Sequence, residues 1–442
     1  MKKLTLSTLF AKVNGSLIIK DIIATTFWSS IGKSIGFLIP LFIAAWFGVT
    51  KQTDAFFFSY GLILFLSSIF APVVESVIVP FIAEARSRNE DVGEFLGKIL
   101  GLSGLGIIFL SVLLLVIMKL FLPVFTRFDP DSQRMTFILL AETIPLFLFL
   151  VWTSLLSGAM NAYRKFFFPA LSPAFRAGLI LLVILLLKNR WGVHAIAWGY
   201  NIGELFRLAL LLLLPRWMGL FSLKISFQMD EKLRDFLKTS SFQVFGMIAV
   251  GLNPVIDKIM ASWLKEGSVS LLEYADRLYS IPVTFFYGGF VVVLLSHLSD
   301  RYYKTQSKQR LRKDILRASK AIGLSAFFVM MAMAFCHEPI TQLAFGRGKF
   351  PLEKLKEIRT IFLFLLGGLI PYAIHLIVVR GLIILKNTKA LMRALFLKNA
   401  IKILLNLLLI VLMGLSGIAL STSITGLLTL LYIWYEFEKS EG

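Results

Sequence analysis

The feature that most constrains this chain is the recurrence of long, continuous apolar runs. A helix rises about 1.5 Å per residue, so about 20 mostly apolar residues cross a hydrocarbon core of about 30 Å. Twelve stretches qualify: 22–47, 54–82, 95–122, 135–156, 166–187, 193–214, 240–264, 274–298, 318–335, 358–385, 395–413 and 417–437. The runs are unbroken, whereas the strands of a membrane barrel alternate. In hydrocarbon every backbone N–H and C=O needs a partner, and a continuous helix supplies one within a single segment. The expected fold is an all-α polytopic membrane protein of about 12 transmembrane helices. Composition agrees: 57% of the 442 residues are hydrophobic and 16% are charged, against about 25% charge in soluble domains.

The formal net charge is +20. On a soluble module that would suggest nucleic acid, but here the charges sit in short segments between apolar runs, so no nucleic-acid partner is expected. They report topology instead, because Lys and Arg accumulate on the cytoplasmic side and meet anionic lipid there. The densest segment joins the eighth and ninth runs and carries Arg301, Lys304, Lys308, Arg310, Arg312, Lys313, Arg317 and Lys320. Placing it inside puts both termini in the cytoplasm. Residues 1–20 lack an uninterrupted apolar core and read as a retained cytoplasmic segment. A single cysteine, Cys336, excludes an internal disulfide framework.

The chain also repeats itself. Ala44-Ala45-Trp46 followed by Asp54-Ala55-Phe56 is echoed by Ala261-Ser262-Trp263 followed by Tyr274-Ala275-Asp276. Ile144-Pro145-Leu146 in the fourth run is echoed by Ile370-Pro371-Tyr372 in the tenth. Each unit holds six spans, an even number, so both insert with the same orientation and form a parallel repeat. The expected organisation is a six-helix lobe at 21–215, a charged cytoplasmic linker at 216–238, a second lobe at 239–437 and a cytoplasmic tail at 438–442. Two such lobes would enclose a central cavity suited to alternating access.

No hydrolytic motif is evident, so an enzyme is not expected. Gly32-Lys33-Ser34 resembles the end of a phosphate-binding loop, but Phe27 stands where its first glycine belongs. The four histidines, His194, His297, His337 and His375, lack metal-ligand spacing. The informative residues are ionisable groups inside the spans, each costing roughly 2.5–3.5 kcal/mol at mid-bilayer unless it faces a cavity or a partner. Lys33, Arg176, Arg277 and Arg380 would give a cleft that attracts an anion, and phosphate suits both Arg and Lys. Asp54, Asp276 and Glu75 are candidates for the cavity or its gates, although Asp54 and Asp276 also suit helix caps. Glu204 and Arg207, at i and i+3, read as a structural pair. Asp257 and Lys258 diverge by about 100° on one helix, so Asp257 needs another partner and is a candidate for ion coupling. Lys398 and Lys402 are read as reaching towards the cytoplasmic interface. Gly32, Gly36, Pro40, Pro145, Pro254, Pro282 and Pro371 are candidate bending points.

Three stretches resemble a known family. Thr53-Asp54-Ala55-Phe56-Phe57, with Ile69-Phe70-Ala71 and Val79-Pro80 after it, resembles the second span of the MurJ/MviN lipid II flippases. Tyr274-Ala275-Asp276-Arg277-Leu278-Tyr279-Ser280-Ile281-Pro282 resembles their eighth span, and Leu343-Ala344-Phe345-Gly346-Arg347-Gly348-Lys349-Phe350 resembles the motif after their ninth. The resemblance implies the multidrug/oligosaccharidyl-lipid/polysaccharide exporter architecture in a bacterial inner membrane. It implies flipping of an undecaprenyl-pyrophosphate-linked glycan, with lipid II favoured, for peptidoglycan and cell-wall synthesis. Lys33 and Arg277 fall on cavity cations of the family, Asp54 matches its second-span aspartate, and Asp257 falls near an acidic position that helps bind sodium in some members. The chain departs from the family at Ile39 and Ser67, which stand where further cations are found, and at Pro72-Val73; Ser67 is nonetheless a candidate for the cavity or its gates alongside Asp54, Asp276 and Glu75. It has twelve runs where many members have fourteen spans. No cofactor is expected beyond possible coupling to Na+ or H+, and Lys402 in the eleventh run weakens the case for a complete sodium site. The expected partners are the lipid-linked oligosaccharide, membrane lipids and cell-wall synthases. Rival readings are a flippase for O-antigen or other polysaccharide units, a cation-coupled multidrug exporter, and a non-transporting scaffold.

Overall fold

The computed structural model describes residues 32, 34–288, 298, 301–302 and 304–440, and within them it is helical with no strand. In chain order the helices are α1 (Ser34–Phe47), α2 (Lys51–Ser87), α3 (Val92–Phe125), α4 (Pro130–Ala162), α5 (Phe167–Trp191), α6 (His194–Trp217) and α7 (Glu231–Ala261). There follow α8 (Ser268–Gly288), α9 (Lys308–Phe335), α10 (His337–Phe345), α11 (Lys354–Leu366), α12 (Leu369–Ile384), α13 (Thr388–Met413) and α14 (Leu415–Lys439). Among the described residues, ten segments are long and apolar enough to cross a membrane, with α11 and α12 counted as one. Each apolar run in the sequence corresponds to helix wherever its residues are described. The tenth run is the exception in form, since it breaks at Gly367-Gly368 into α11 and α12. The short α10 is too brief to be read as a span.

Several helices are inside-out relative to a soluble protein. On α13, Leu404, Leu408, Val411 and Leu412 are exposed while Lys402 and Asn406 are buried. On α3, Phe109, Leu120 and Val124 are exposed. Apolar side chains facing outward suit a hydrocarbon solvent, and polar groups turned inward are what that solvent enforces.

The contacts group the chain into two compact units. The first comprises 1–39, 66–116 and 141–244. It holds α5 and α6, and it seats the segment leading into α7 against α3. That segment runs extended from Phe221 to Asp230. The carbonyls of Ser222, Lys224 and Ser226 lie over Gly93, Gly97 and Gly101, where an added Cβ would come within 2.0, 1.9 and 2.7 Å. The periods match: four helical residues rise about 6 Å and two extended residues about 6.6 Å. Lys224 pairs with Asp91 at 2.7 Å and Lys98 with Asp230 at 2.9 Å, which closes both ends of the groove.

The second unit comprises 40–65, 117–140 and 245–442. Its core joins Leu311, Ile315 and Ile322 of α9 to Leu369, Ile377 and Leu382 of α12 and to Ile433 and Phe437 of α14. α7 starts at Glu231, ahead of the apolar run beginning at residue 240.

Candidate functional site

Residues from each of the three stretches that carry the family resemblance, drawn from 53–57, 274–282 and 343–350, meet in one place within the second unit. α2 opens with Thr53 and Asp54, both buried. The start of any helix leaves N–H groups without intrahelical partners. At the start of α8 two of these are taken by Asp54, which accepts from the N–H groups of Gly267 and Ser270, each at 2.7 Å. The Ser270 hydroxyl donates to the same carboxylate at 2.6 Å. The expected helix cap is therefore present, but Asp54 caps α8 and not its own helix. Gly267 adopts φ +86°, and a side chain there would press within 2.2 Å of Val49, so glycine is required for both conformation and space.

Tyr274, one turn further along α8, is fully buried and donates to the Gly48 carbonyl at 3.1 Å. Its ring packs edge-on against Phe57 at 5.2 Å and against Phe345 at 5.5 Å. The third motif completes the seat: the Lys349 N–H donates to the Ala45 carbonyl at 2.7 Å, and a Cβ on Gly348 would fall 2.1 Å from that carbonyl oxygen. Lys51 adds an ion pair with Asp129 at 2.5 Å.

Below this seat lies a charged cluster. Glu273 of α8 is held by Lys258 of α7 at 2.8 Å and by Arg277, one turn along its own helix, at 2.6 Å. The Lys258 ammonium also donates to the Phe57 carbonyl of α2 at 2.9 Å. Two cations share this acid, and Asp276 interacts electrostatically with all three. The Arg277 side chain is about one-third exposed, at 32%, while Glu273 is buried. Asp276, the next residue before Arg277, is exposed.

Asp257 has the partner that helical geometry demanded from elsewhere. Its Oδ1 meets the Lys402 ammonium at 3.0 Å and accepts from the Asn406 amide at 2.8 Å, both on α13. Lys402 does not reach for an interface. It is 2% exposed and turned towards α14, because its helix offers lipid on the other face and hydroxyls on this one.

In the first unit, Glu204 is fully buried and bound by Arg176 at 2.8 Å, Arg207 at 3.0 Å and the Thr153 hydroxyl at 2.7 Å. The expected pair of Glu204 with Arg207 is there, and Arg176, expected as a cavity cation, joins it. Glu142 contacts His194 at 2.9 Å. Ser67 is buried and Glu75 half-buried. Arg380, on α12 in the second unit, is half-buried, and its Nε has no hydrogen-bond partner among the described residues. Lys33 lies outside the described residues. Sequence reasoning did not single out Glu273, although its spacing of four residues from Arg277 is the available signal. Among the described residues no group of His, Cys, Asp or Glu could hold a metal ion.

Comparison with known proteins covers nearly the whole chain. The family model described as "Lipid II flippase MurJ" matches residues 43–442. A probable lipid II flippase MurJ of Thermotoga maritima is 29% identical over 412 residues, which is 92% of this chain and 83% of that protein. The lipid II flippase MurJ of Thermosipho africanus is 26% identical over 425 residues, covering 93% and 83%. A solved MurJ structure in an inward closed conformation aligns with a TM-score of 0.77 at 24% identity, covering 96% of this chain and 90% of that one. A multidrug resistance MATE family transporter of the MOP superfamily, in an inward-facing conformation, aligns with a TM-score of 0.68 at 13% identity, covering 94% of this chain and 95% of that one. The all-helical fold is thus that of the exporter superfamily, and the chain belongs to the MurJ family of lipid II flippases.

Proposed function

We propose that this protein moves lipid II, an undecaprenyl-pyrophosphate-linked glycan, from the inner to the outer leaflet for peptidoglycan synthesis. The observation that carries this reading is the family match over residues 43–442, supported by the convergence of three family motifs on one buried seat. The protein is a transporter and not an enzyme; it breaks no covalent bond. Arg277 supplies positive charge to the pyrophosphate, and its one-third exposure beside a buried acid favours that role. The family resemblance gives Lys33 the same task. The polyprenyl tail stays in lipid, where it costs nothing to keep.

Transport proceeds by alternating access. The placement of Lys and Arg puts both termini in the cytoplasm and the seat around Asp54 at the outer face. The bonds from α2 to α7 and α8 then form an outer gate that breaks once per cycle. The membrane potential can drive the return, since one charge moved through 100 mV is worth about 2.3 kcal/mol. The flipped precursor passes to cell-wall synthases.

The test is complementation of a strain depleted of its own lipid II flippase. The wild-type gene should restore growth, and Arg277→Ala and Lys33→Ala should not, at equal membrane abundance. A wild-type protein that reaches the membrane yet fails to rescue would overturn the assignment.

A further inference from the structure

Four oxygen atoms surround the buried ammonium of Lys402: Asp257 Oδ1 at 3.0 Å, Ser421 Oγ at 3.0 Å, the Ile418 carbonyl at 3.2 Å, and Thr422 Oγ1. They come from α7 and α14, while the lysine itself comes from α13. An ammonium has three N–H donors, so the shell offers more acceptors than the group can use. The hydroxyls are also pre-oriented. Ser421 has Asn406 Oδ1 and the Ile418 carbonyl as alternative acceptors for its single proton, and Thr422 directs its proton to the Ile418 carbonyl at 3.0 Å. Their lone pairs are left to face the ammonium. Asn406 in turn steadies the carboxylate through its amide. One carboxylate, a carbonyl and two hydroxyls, with donors turned away, is the ligand chemistry of a hard monovalent cation.

We propose that Lys402 is a tethered cation. Its ammonium fills an alkali-cation site built by α7 and α14, and this protein therefore runs its cycle without binding Na+ there. The charge balance supports this: Asp257 is neutralised by the lysine, and a second cation in the same shell would be repelled at contact distance. A charge at this depth is tolerated only with such partners. The consequence for transport rests on the flippase reading above, whereas the binding itself does not.

The experiment uses the purified full-length protein in detergent, with 22Na+ binding and thermal unfolding compared in NaCl and choline chloride at equal ionic strength. The wild type should bind no saturable 22Na+ and unfold at the same temperature in both salts. Lys402→Ser and Lys402→Ala, which vacate the position, should gain saturable 22Na+ binding and a sodium-specific rise in melting temperature of about 2 °C or more. Adding Asp257→Asn to either variant should abolish both gains. Saturable 22Na+ binding by the wild type that Asp257→Asn removes would overturn the proposal. So would a folded vacancy variant that ignores sodium. Should both vacancy variants fail to fold, the wild-type and Asp257→Asn measurements alone decide. Failure of complementation with an intact sodium result would sink the flippase reading and leave the tethered cation standing.

Discussion

Glu204 has no exposed surface and is held between two guanidinium groups. Removing the carboxylate strands two cations in the interior, and breaking a buried pair in this way costs about 3–5 kcal/mol. Glu204→Gln should lower the midpoint of thermal or denaturant unfolding sharply, and Arg207→Ala should do so less, because Arg176 remains to pair with the acid. Asp129 shows the opposite regime at the surface. The Lys51 ammonium, and then the Ser132 N–H, hold its carboxyl at about 2, below its ordinary 3.8. A depressed carboxylate contributes stability that is complete above 3.8 and fades as pH falls through about 2. Melting curves of wild type and Asp129→Asn should therefore differ at neutral pH and converge on acidification to about pH 2. The ionic residues were visible in the sequence because charges in apolar runs stand out, and the pairing of Glu204 with Arg207 followed from helical spacing. The contact of Asp257 with Lys402 could not be read, since they lie 145 positions apart in the chain and only packing sets which helices adjoin. For the same reason Lys402 looked like an interfacial residue until α14 was seen to supply its hydroxyls.

Helices were the most legible elements, because their apolar length is dictated by the bilayer and not by tertiary detail. What the apolar pattern could not show is where a helix stops being regular. Of the proposed bending points within the described helices, Pro371 coincides with a break. Proline cannot donate to the carbonyl four residues back and clashes with it, and that residue is Gly367, at the junction of α11 and α12. Near the break the Ser423 hydroxyl donates to the Phe364 carbonyl at 2.5 Å. Pro145 and Pro254 lie within continuous helices. The extended segment at 221–230 was legible only as polar sequence; its seat on α3 depends on glycines at a period of four meeting carbonyls at a period of two. Gly97→Leu should unseat it, because even a Cβ would lie 1.9 Å from the Lys224 carbonyl oxygen. The expected cost is about 1–3 kcal/mol, and protease cleavage between Ser222 and Gln228 should accelerate while the flanking helices stay intact.

For the whole molecule, the proposed outer gate makes the seat around Asp54 the element that decides how long one end stays shut. The carboxylate satisfies two N–H groups and a hydroxyl on α8 at once. An asparagine of the same shape accepts through one oxygen and turns an N–H₂ donor towards a second donor. Hydrogen bonds to charged groups contribute about 1.5–3 kcal/mol each, and every 1.4 kcal/mol is worth about tenfold in an equilibrium. Asp54→Asn should thus shift the population towards the open gate by about tenfold or more without touching Lys33 or Arg277, the cations proposed to meet the substrate. The readout is a cysteine at Ser268, buried at 1% beside the seat, with the exposed native Cys336 replaced by alanine. In intact cells a membrane-impermeant maleimide should label Ser268→Cys slowly in the Asp54 background and about tenfold faster with Asp54→Asn. Flipping should slow as well, because a carrier that rests open on the outer side captures its substrate less often on the inner side. Equal labelling in both backgrounds would mean that the packing of Tyr274 on Phe57 and Phe345 holds this end closed without help from the capped helix.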